Sequence, residues 1–282
     1  MKLGVRAHDF GKRPAGELAE RIAQNGFDCV QLAPPKAIAG FDGETGRLGP
    51  DFGRGVNEAF AKRGITIAVL GCYINLADPD EARRRRQIGK FKEYLGVARD
   101  FGCRVVGTET GSLNADYSFH PGNRGEEAFQ TVLASARELV AEAEARGALV
   151  GIEGVERYVI SDPRRMKRLL DGVGSASLQV IFDPVNLLSA ENYRRQDEIM
   201  REAFDLWGDR IAIIHAKDFV VEHGRLRSVL SGQGMLNHGL LVDFIRQRKP
   251  HLPVLMEDTE PGTVERGVRF WRDFFPGAAS GA

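Results

Sequence analysis

Four short apolar runs in the second half of the chain end in a side chain that can hold a metal or move a proton. LVGIE ends at Glu153, LQVIFD at Asp183, IAIIH at His215 and PVLME at Glu257. Each run is too apolar for a surface strand, so each terminus is presented from the edge of a core. If the four ends meet, three carboxylates share one site and repel one another strongly unless something positive lies between them. One bound divalent cation resolves that conflict. An imidazole with three carboxylates and no thiolate is a hard ligand set, which suits Mn²⁺, the favoured ion, and leaves Mg²⁺, Co²⁺ and Zn²⁺ open. Taken singly, each residue has an ordinary alternative: strand-end acids cap helices, and a lone histidine is usually hydrogen-bonded in a core. Four on consecutive strands, at the same end, argue for a shared site.

The elements that must position these groups are legible as alternation. Eight short Val- and Ile-rich runs, Leu3–Ala7, Asp28–Leu32, Thr66–Gly71, Arg104–Thr108, Ala148–Glu153, Leu178–Phe182, Ile211–His215 and Val254–Glu257, read as strands. Helical spacing fills the intervals at Ala15–Asn25, Asp51–Arg63, Asp80–Phe101, Gly125–Arg146, Asp162–Gly172, Arg194–Trp207, Asn237–Arg248 and Thr263–Phe274. Glycines at 26, 64, 102 and 147 stand where helices should end, and Asp162-Pro163 and Asp78-Pro79-Asp80 suit helix starts. The expected fold is α/β, a single (β/α)₈ TIM barrel over residues 1–275 with a flexible tail at 276–282. An open doubly wound sheet would want a glycine-rich turn after the first strand, and residues 6–11 read Arg-Ala-His-Asp-Phe-Gly. The units do not repeat at residue level, which disfavours a solenoid.

In such a barrel the functional groups gather at the carboxyl ends of the strands. That rule adds His8, Glu109, Glu156, Asn186 and Lys217 as candidate substrate-binding residues. His8 could bond a substrate hydroxyl, Glu109 could meet substrate or Lys217, and Asn186 could support a metal-bound carboxylate. Tyr73 and Asn75 are candidates for pocket lining or ordinary loop packing. Phe270, Trp271, Phe274 and Phe275 read as core or subunit contacts, so a homo-oligomer stays open.

Bulk properties narrow the partners. The chain has 282 residues, 43% hydrophobic and 28% charged, with 39 basic and 39 acidic side chains. No global field draws it to nucleic acid or an anionic membrane, so a small-molecule carbohydrate is the expected partner. The run Arg83–Arg86 reads as a solvated helix face. Cys29, Cys72 and Cys103 read as buried free thiols in a reducing compartment. No export signal or membrane span is readable, and a cytoplasmic location is expected.

The segments GIEGVERY at 151–158, IFDPVNLL at 181–188, IIHAKD at 213–218, SGQG at 231–234 and LMED at 255–258 resemble the xylose isomerase-like sugar phosphate isomerase/epimerase superfamily, which includes the ketose 3-epimerases. The resemblance covers essentially the whole chain. It implies metal ligands at Glu153, Asp183, His215 and Glu257, with Glu153 and Glu257 also catalytic as the acid/base pair. Three departures stand out. Val159 lies where the ketose epimerases have a second glutamate, with Glu156 the nearest acid; Val221 replaces an arginine; and Asn186 replaces a histidine. These positions normally meet the sugar, so the resemblance to ketohexose 3-epimerases does not extend to them.

The expected function is therefore a metal-dependent sugar isomerase or epimerase in carbohydrate metabolism, abstracting a proton next to a carbonyl. A dehydratase or keto-sugar lyase using the same centre stays open, as does a non-catalytic sugar-binding barrel. An AP endonuclease fits worst, because a trinuclear zinc site needs more strand-end histidines than the six present.

Overall fold

The computed structural model describes residues 1–43, 46–260 and 262–275; the tail expected to be flexible, 276–282, lies outside them. The chain runs β1 (Lys2–Arg6), α1 (Ala15–Gln24), β2 (Cys29–Leu32), α2 (Pro34–Ala37), α3 (Pro50–Ala61), β3 (Thr66–Gly71), α4 (Glu81–Val97), β4 (Val105–Glu109) and α5 (Glu126–Arg146). It continues β5 (Leu149–Glu153), α6 (Pro163–Val173), β6 (Leu178–Phe182), α7 (Gln196–Trp207) and β7 (Ile211–Ala216). Then come β8 (Asp218–Glu222), β9 (Arg225–Val229), α8 (His238–Arg248), β10 (Pro253–Met256) and α9 (Val264–Phe274).

Eight strands close into a parallel barrel in the order β1-β10-β7-β6-β5-β4-β3-β2. The strands expected from sequence are these eight, within a residue or so at each end. The β8–β9 pair is an addition, an antiparallel hairpin between β7 and α8. Helix starts follow the capping chemistry: Asp80 accepts from Arg83 N, Asp162 from Arg165 N, and Asn237 from Leu240 N. At the other end of α5, Gly147 takes φ 61°, the left-handed turn that lets the chain drop directly into β5. Of the basic run in α4, Arg83 turns back to pair with Asp78 and Arg84 donates to the Asp78 carbonyl. Only Arg85 and Arg86 of that run are exposed. Cys29, Cys72 and Cys103 are buried and free.

Inside the barrel, successive inward positions lie two residues apart along each strand. A lower apolar layer is built by Cys29, Val69, Val105, Ile181, Ile213 and Leu255. Glycines make room for it. The Ile181 side chain fills the space beside Gly107 and Gly151, and a Cβ on Gly4 would lie 2.6 Å from Cys29 Sγ and collide with Leu255. One step above four members of that layer the side chain becomes polar: Gln31 above Cys29, Asp183 above Ile181, His215 above Ile213 and Glu257 above Leu255; above Val69 and Val105 stand Gly71 and Gly107. Glu109 and Glu153 stand likewise above Gly107 and Gly151, and are paired in register. Outside, the helices pack on the strands through one large cluster that includes Phe60, Phe91, Phe101, Phe182 and Trp271.

Two glycine substitutions test this layering with opposite signs. Gly4→Ala should cost about 1–3 kcal/mol by overpacking, and thus lower the melting temperature by several degrees. Gly89→Ala, on the exposed face of α4 with open space around it, should stabilise by up to ~1 kcal/mol through helix propensity. Thermal melts of the two variants beside the parent protein give both values. Equal effects of one sign would contradict a filled interior layer.

Candidate metal centre and its pocket

Glu153, Asp183 and His215 each present a ligand atom such that all three atoms lie within 4.8 Å of one another, and all three residues are buried. They come from the carboxyl ends of β5, β6 and β7. Glu257, after β10, stands beside them: its Oε1 is 3.3 Å from His215 Nδ1, on which Glu153 Oε2 also converges at 3.2 Å. Glu257 is not part of the three-residue cluster. Its other oxygen is taken by Lys217, whose Nζ lies 3.1 Å from Glu257 Oε2 and 2.8 Å from Asp183 Oδ2. Arg6 Nη1 approaches Glu257 Oε1 at 3.7 Å.

Neighbouring groups orient each member. Gln31 Oε1 lies 2.6 Å from His215 Nε2, which places a proton on Nε2 and turns Nδ1 toward the carboxylates of Glu153 and Glu257. The Gln31 amide donates in turn to the Tyr73 hydroxyl. Asn186 Nδ2 donates to Glu153 Oε1 at 2.6 Å. Asp183 Oδ1 accepts from the backbone of Val185 and Asn186 at 2.8 and 3.1 Å. That leaves Asp183 Oδ2, although ion-paired with Lys217, and His215 Nδ1 as buried atoms without a hydrogen bond. Both belong to the three-residue cluster, which is therefore chemically suited to a divalent cation.

Charges inside the centre are strongly coupled. Burial alone would lower the His215 imidazole, yet Glu153 and Glu257 outweigh it and raise it to about 9. Burial pushes the Asp183 carboxyl up to about 6, against the pull of Lys217. Burial also disfavours ionised Glu257, but Lys217, His215 and Arg6 hold it below the usual carboxylate range. Glu109 has no ion-pair partner among the described residues; burial, then the charge of Glu153, lifts it to about 7.

Glu153 and Glu257 open onto a cavity of about 900 Å³ whose wall also includes His8, Tyr73, Glu109, Glu156, Asn186 and Lys217, while Asp183 and His215 are buried and do not line it. His8 follows β1 on a short 3-10 turn. Burial, then Arg6 and Lys36, lower it to about 4, so it stands as a neutral hydrogen-bonding group with Nδ1 unpartnered. Glu156 lines the wall and pairs with Arg124. Asn75 does not line the cavity: it is buried and donates to Ser112 O, holding a loop. Asp218 likewise serves the scaffold, accepting from the backbone of Phe219, Gly232, Gly234 and Leu236. Those bonds use the amides of the SGQG turn, which is thus no phosphate cradle. Sequence reasoning missed Gln31 and Arg6. Both sit two residues above an inward position of the layer beneath, Cys29 and Gly4, so the same alternation that marked Glu153 would have found them.

The raised His215 value carries a sign. A base whose folded value exceeds its ordinary 6.5 contributes stability that is complete below about pH 6.5 and lost as pH rises through about 9. Asp183, an acid raised from 3.8 to about 6, loses its contribution as pH rises between those two values, below the window in which His215 acts. The cation-free chain should therefore melt at progressively lower temperature from about pH 7 to pH 10, and His215→Gln should flatten that slope. An unchanged slope in the variant would assign it to another group.

Comparison with known proteins places this geometry. The sequence model described as xylose isomerase-like TIM barrel matches residues 19–274. No curated protein sequence matches the chain. Among solved structures, a D-tagatose 3-epimerase-like protein superposes with TM-score 0.77 at 17% identity, covering 97% of each chain. A 3-keto-D-glucoside 4-epimerase from E. coli, in its apo form, superposes with TM-score 0.73 at 17% identity over 97% of this chain and 99% of that one. A xylose isomerase-like TIM barrel protein from Mycobacterium smegmatis, in complex with magnesium, gives TM-score 0.71 at 15% identity over 97% and 96%. These identities speak for the fold, and the family match extends over nearly all the described residues. The chain belongs to the xylose isomerase-like TIM barrel family.

Proposed function

We propose that this chain is a divalent-metal-dependent isomerase or epimerase that abstracts a proton next to the carbonyl of a small sugar or keto-sugar. The observation that carries the reading is the buried cluster of Glu153, Asp183 and His215, two of whose atoms lack a hydrogen bond and of which Glu153 opens onto the cavity. A D-tagatose 3-epimerase-like protein and a 3-keto-D-glucoside 4-epimerase among its structural relatives support the substrate class.

Glu153, Asp183 and His215 would hold the cation, with Glu257 completing the set. When bound, it supplies Lewis acidity that makes the C–H beside a carbonyl easier to ionise. Glu153 and Glu257 flank His215 and are the pair that removes a proton from the substrate carbon and returns one. Asn186 fixes the carboxylate of Glu153. Lys217 and Arg6 fix that of Glu257. Gln31 holds the imidazole in the tautomer that faces the carboxylates, and neutral His8 offers a hydrogen bond to a hydroxyl. The two apolar departures lie elsewhere: Val159 is fully buried in the core, and Val221 sits on the β8 strand of the hairpin. Ketohexose contacts at those two positions are therefore missing, and the substrate differs from a free ketohexose.

Elemental analysis of the purified chain, soaked in turn with Mn²⁺, Mg²⁺, Co²⁺ and Zn²⁺, should find about one ion per chain, lost in Glu153→Gln and His215→Ala. With the ion present, keto-sugars incubated in deuterated water should exchange at one carbon and be recovered intact. Glu257→Gln should slow that exchange about 10²–10⁴-fold. Loss of water or of an aglycone would instead assign a dehydratase or lyase. No ion under any soak would remove the basis of the reading.

A further inference from the structure

We propose that the outer part of the cavity is a second subsite, which takes a ring with a stackable face carried as a substituent on the sugar, either a flat aryl group or the apolar C–H face of a second sugar. This rests on the sugar reading above and adds to it the shape of the substrate. A volume of about 900 Å³ lies at the upper end of small-molecule sites, roughly 300–1,000 Å³. One sugar ring beside the metal centre leaves much of it unfilled.

The loops after β4 and β5 supply a wall suited to such a ring. Tyr117 and Tyr158 both line the cavity with ring centroids 6.1 Å apart at 58°; Tyr158 is only 2% exposed and backs the wall, so half-buried Tyr117 and exposed Arg157 present its surface. Arg157 lies over the Tyr158 ring, its guanidinium 4.9 Å from the centroid, and donates to the Tyr158 hydroxyl at 3.2 Å. No carboxylate pairs with Arg157 among the described residues, so its remaining donors are free for the polar edge of a ligand. Aromatic faces beside a guanidinium are a stacking surface for such ring faces.

This wall is built in advance. Fully buried Asn123 accepts from Leu113 N at 3.0 Å and donates to Ser112 Oγ at 3.0 Å and to Arg157 O at 2.9 Å, which ties the two loops together. Tyr117 is held at φ 62°, a left-handed conformation that a bulky residue rarely adopts. Such strain persists only where the surroundings impose it, and it concentrates at ligand sites. Neither tyrosine nor the arginine belongs to the metal centre, so the proton-transfer chemistry leaves the wall without a task.

Calorimetry on the Mn²⁺-loaded chain with methyl, phenyl and glucosyl 3-keto-β-D-glucosides tests the proposal. The phenyl or glucosyl compound should bind roughly tenfold tighter than the methyl compound. Tyr117→Ala and Arg157→Met, at half-buried and exposed positions, should reduce that preference to less than about twofold while melting like the parent. Preference for phenyl alone identifies an aryl group, and for glucosyl alone a second sugar. Equal affinities in the parent, or a preference that survives in both variants, would overturn the subsite. If Mn²⁺ binds but none of the three compounds does, the sugar reading has failed and the subsite falls with it.

Discussion

Like charges buried close together set the terms for everything at the mouth of this barrel. Glu153, Asp183 and Glu257 are each no more than 5% exposed, and a pair of charges about 4 Å apart repels by roughly 4 kcal/mol even at an effective dielectric of 20. The fold answers with Lys217 between Asp183 and Glu257, Arg6 behind Glu257, and amides from Asn186 and Gln31. These cations and amides fix each carboxylate without satisfying every acceptor. The HAKD segment concentrates this work: His215 and Lys217 point to the centre from alternate positions. The next residue, Asp218, collects the amides of residues 232–236 and so anchors the segment to the loop beneath α8.

Convergence at that point follows from the period of a strand. Each barrel strand offers an inward apolar or glycine position and, two residues later, an inward polar one at the rim. The eight strands, the helix caps at Asp80, Asp162 and Asn237, and the strand-end groups were therefore legible in the sequence, because alternation and capping are local signals. The barrel itself was legible only through their number and order. What a strand end faces across the barrel is not a local property. The bond from Gln31 to His215 joins residues 184 apart, and a glutamine in an apolar strand carries no mark of it. Glu156 is a second case: its type and place suggest the site, it lines the cavity, and its pairing with Arg124 is likewise not readable from the local sequence.

The β8–β9 hairpin escaped notice for a related reason. DFVVE and RLRSV are short, and only some of their residues are buried, so they lack the apolar contrast that marked the barrel strands. The turn between them was the available signal: His223 and Gly224 both take positive φ, 51° and 73°, as a two-residue hairpin turn requires. Its fastening involves residues far apart in sequence. Ser228 and Arg6 both bond to Asp258, which itself holds φ 54°. The hairpin is thereby tied to the seam where β1 and β10 close the barrel, and it brings Arg225, Leu226 and Ser228 to the cavity rim.

The valines at 159 and 221 could suggest a barrel whose pocket has drifted out of use. The energetics of the centre argue otherwise. Buried ion pairs rarely stabilise a fold, since apolar side chains of similar volume in their place are often neutral or better. An unsatisfied buried acceptor costs about 1–3 kcal/mol more. A scaffold with no use for charge at its mouth would lose nothing by filling the centre with leucine. This chain instead keeps three carboxylates and an imidazole there, with Asp183 Oδ2 met by Lys217 and His215 Nδ1 by Glu153 and Glu257, and it spends Lys217, Arg6, Asn186 and Gln31 on holding them in place. Val159, by contrast, is an ordinary core residue with no exposed surface. Of the three departures, Val159 and Val221 lie away from the centre, and Asn186 stays within it as the donor to Glu153.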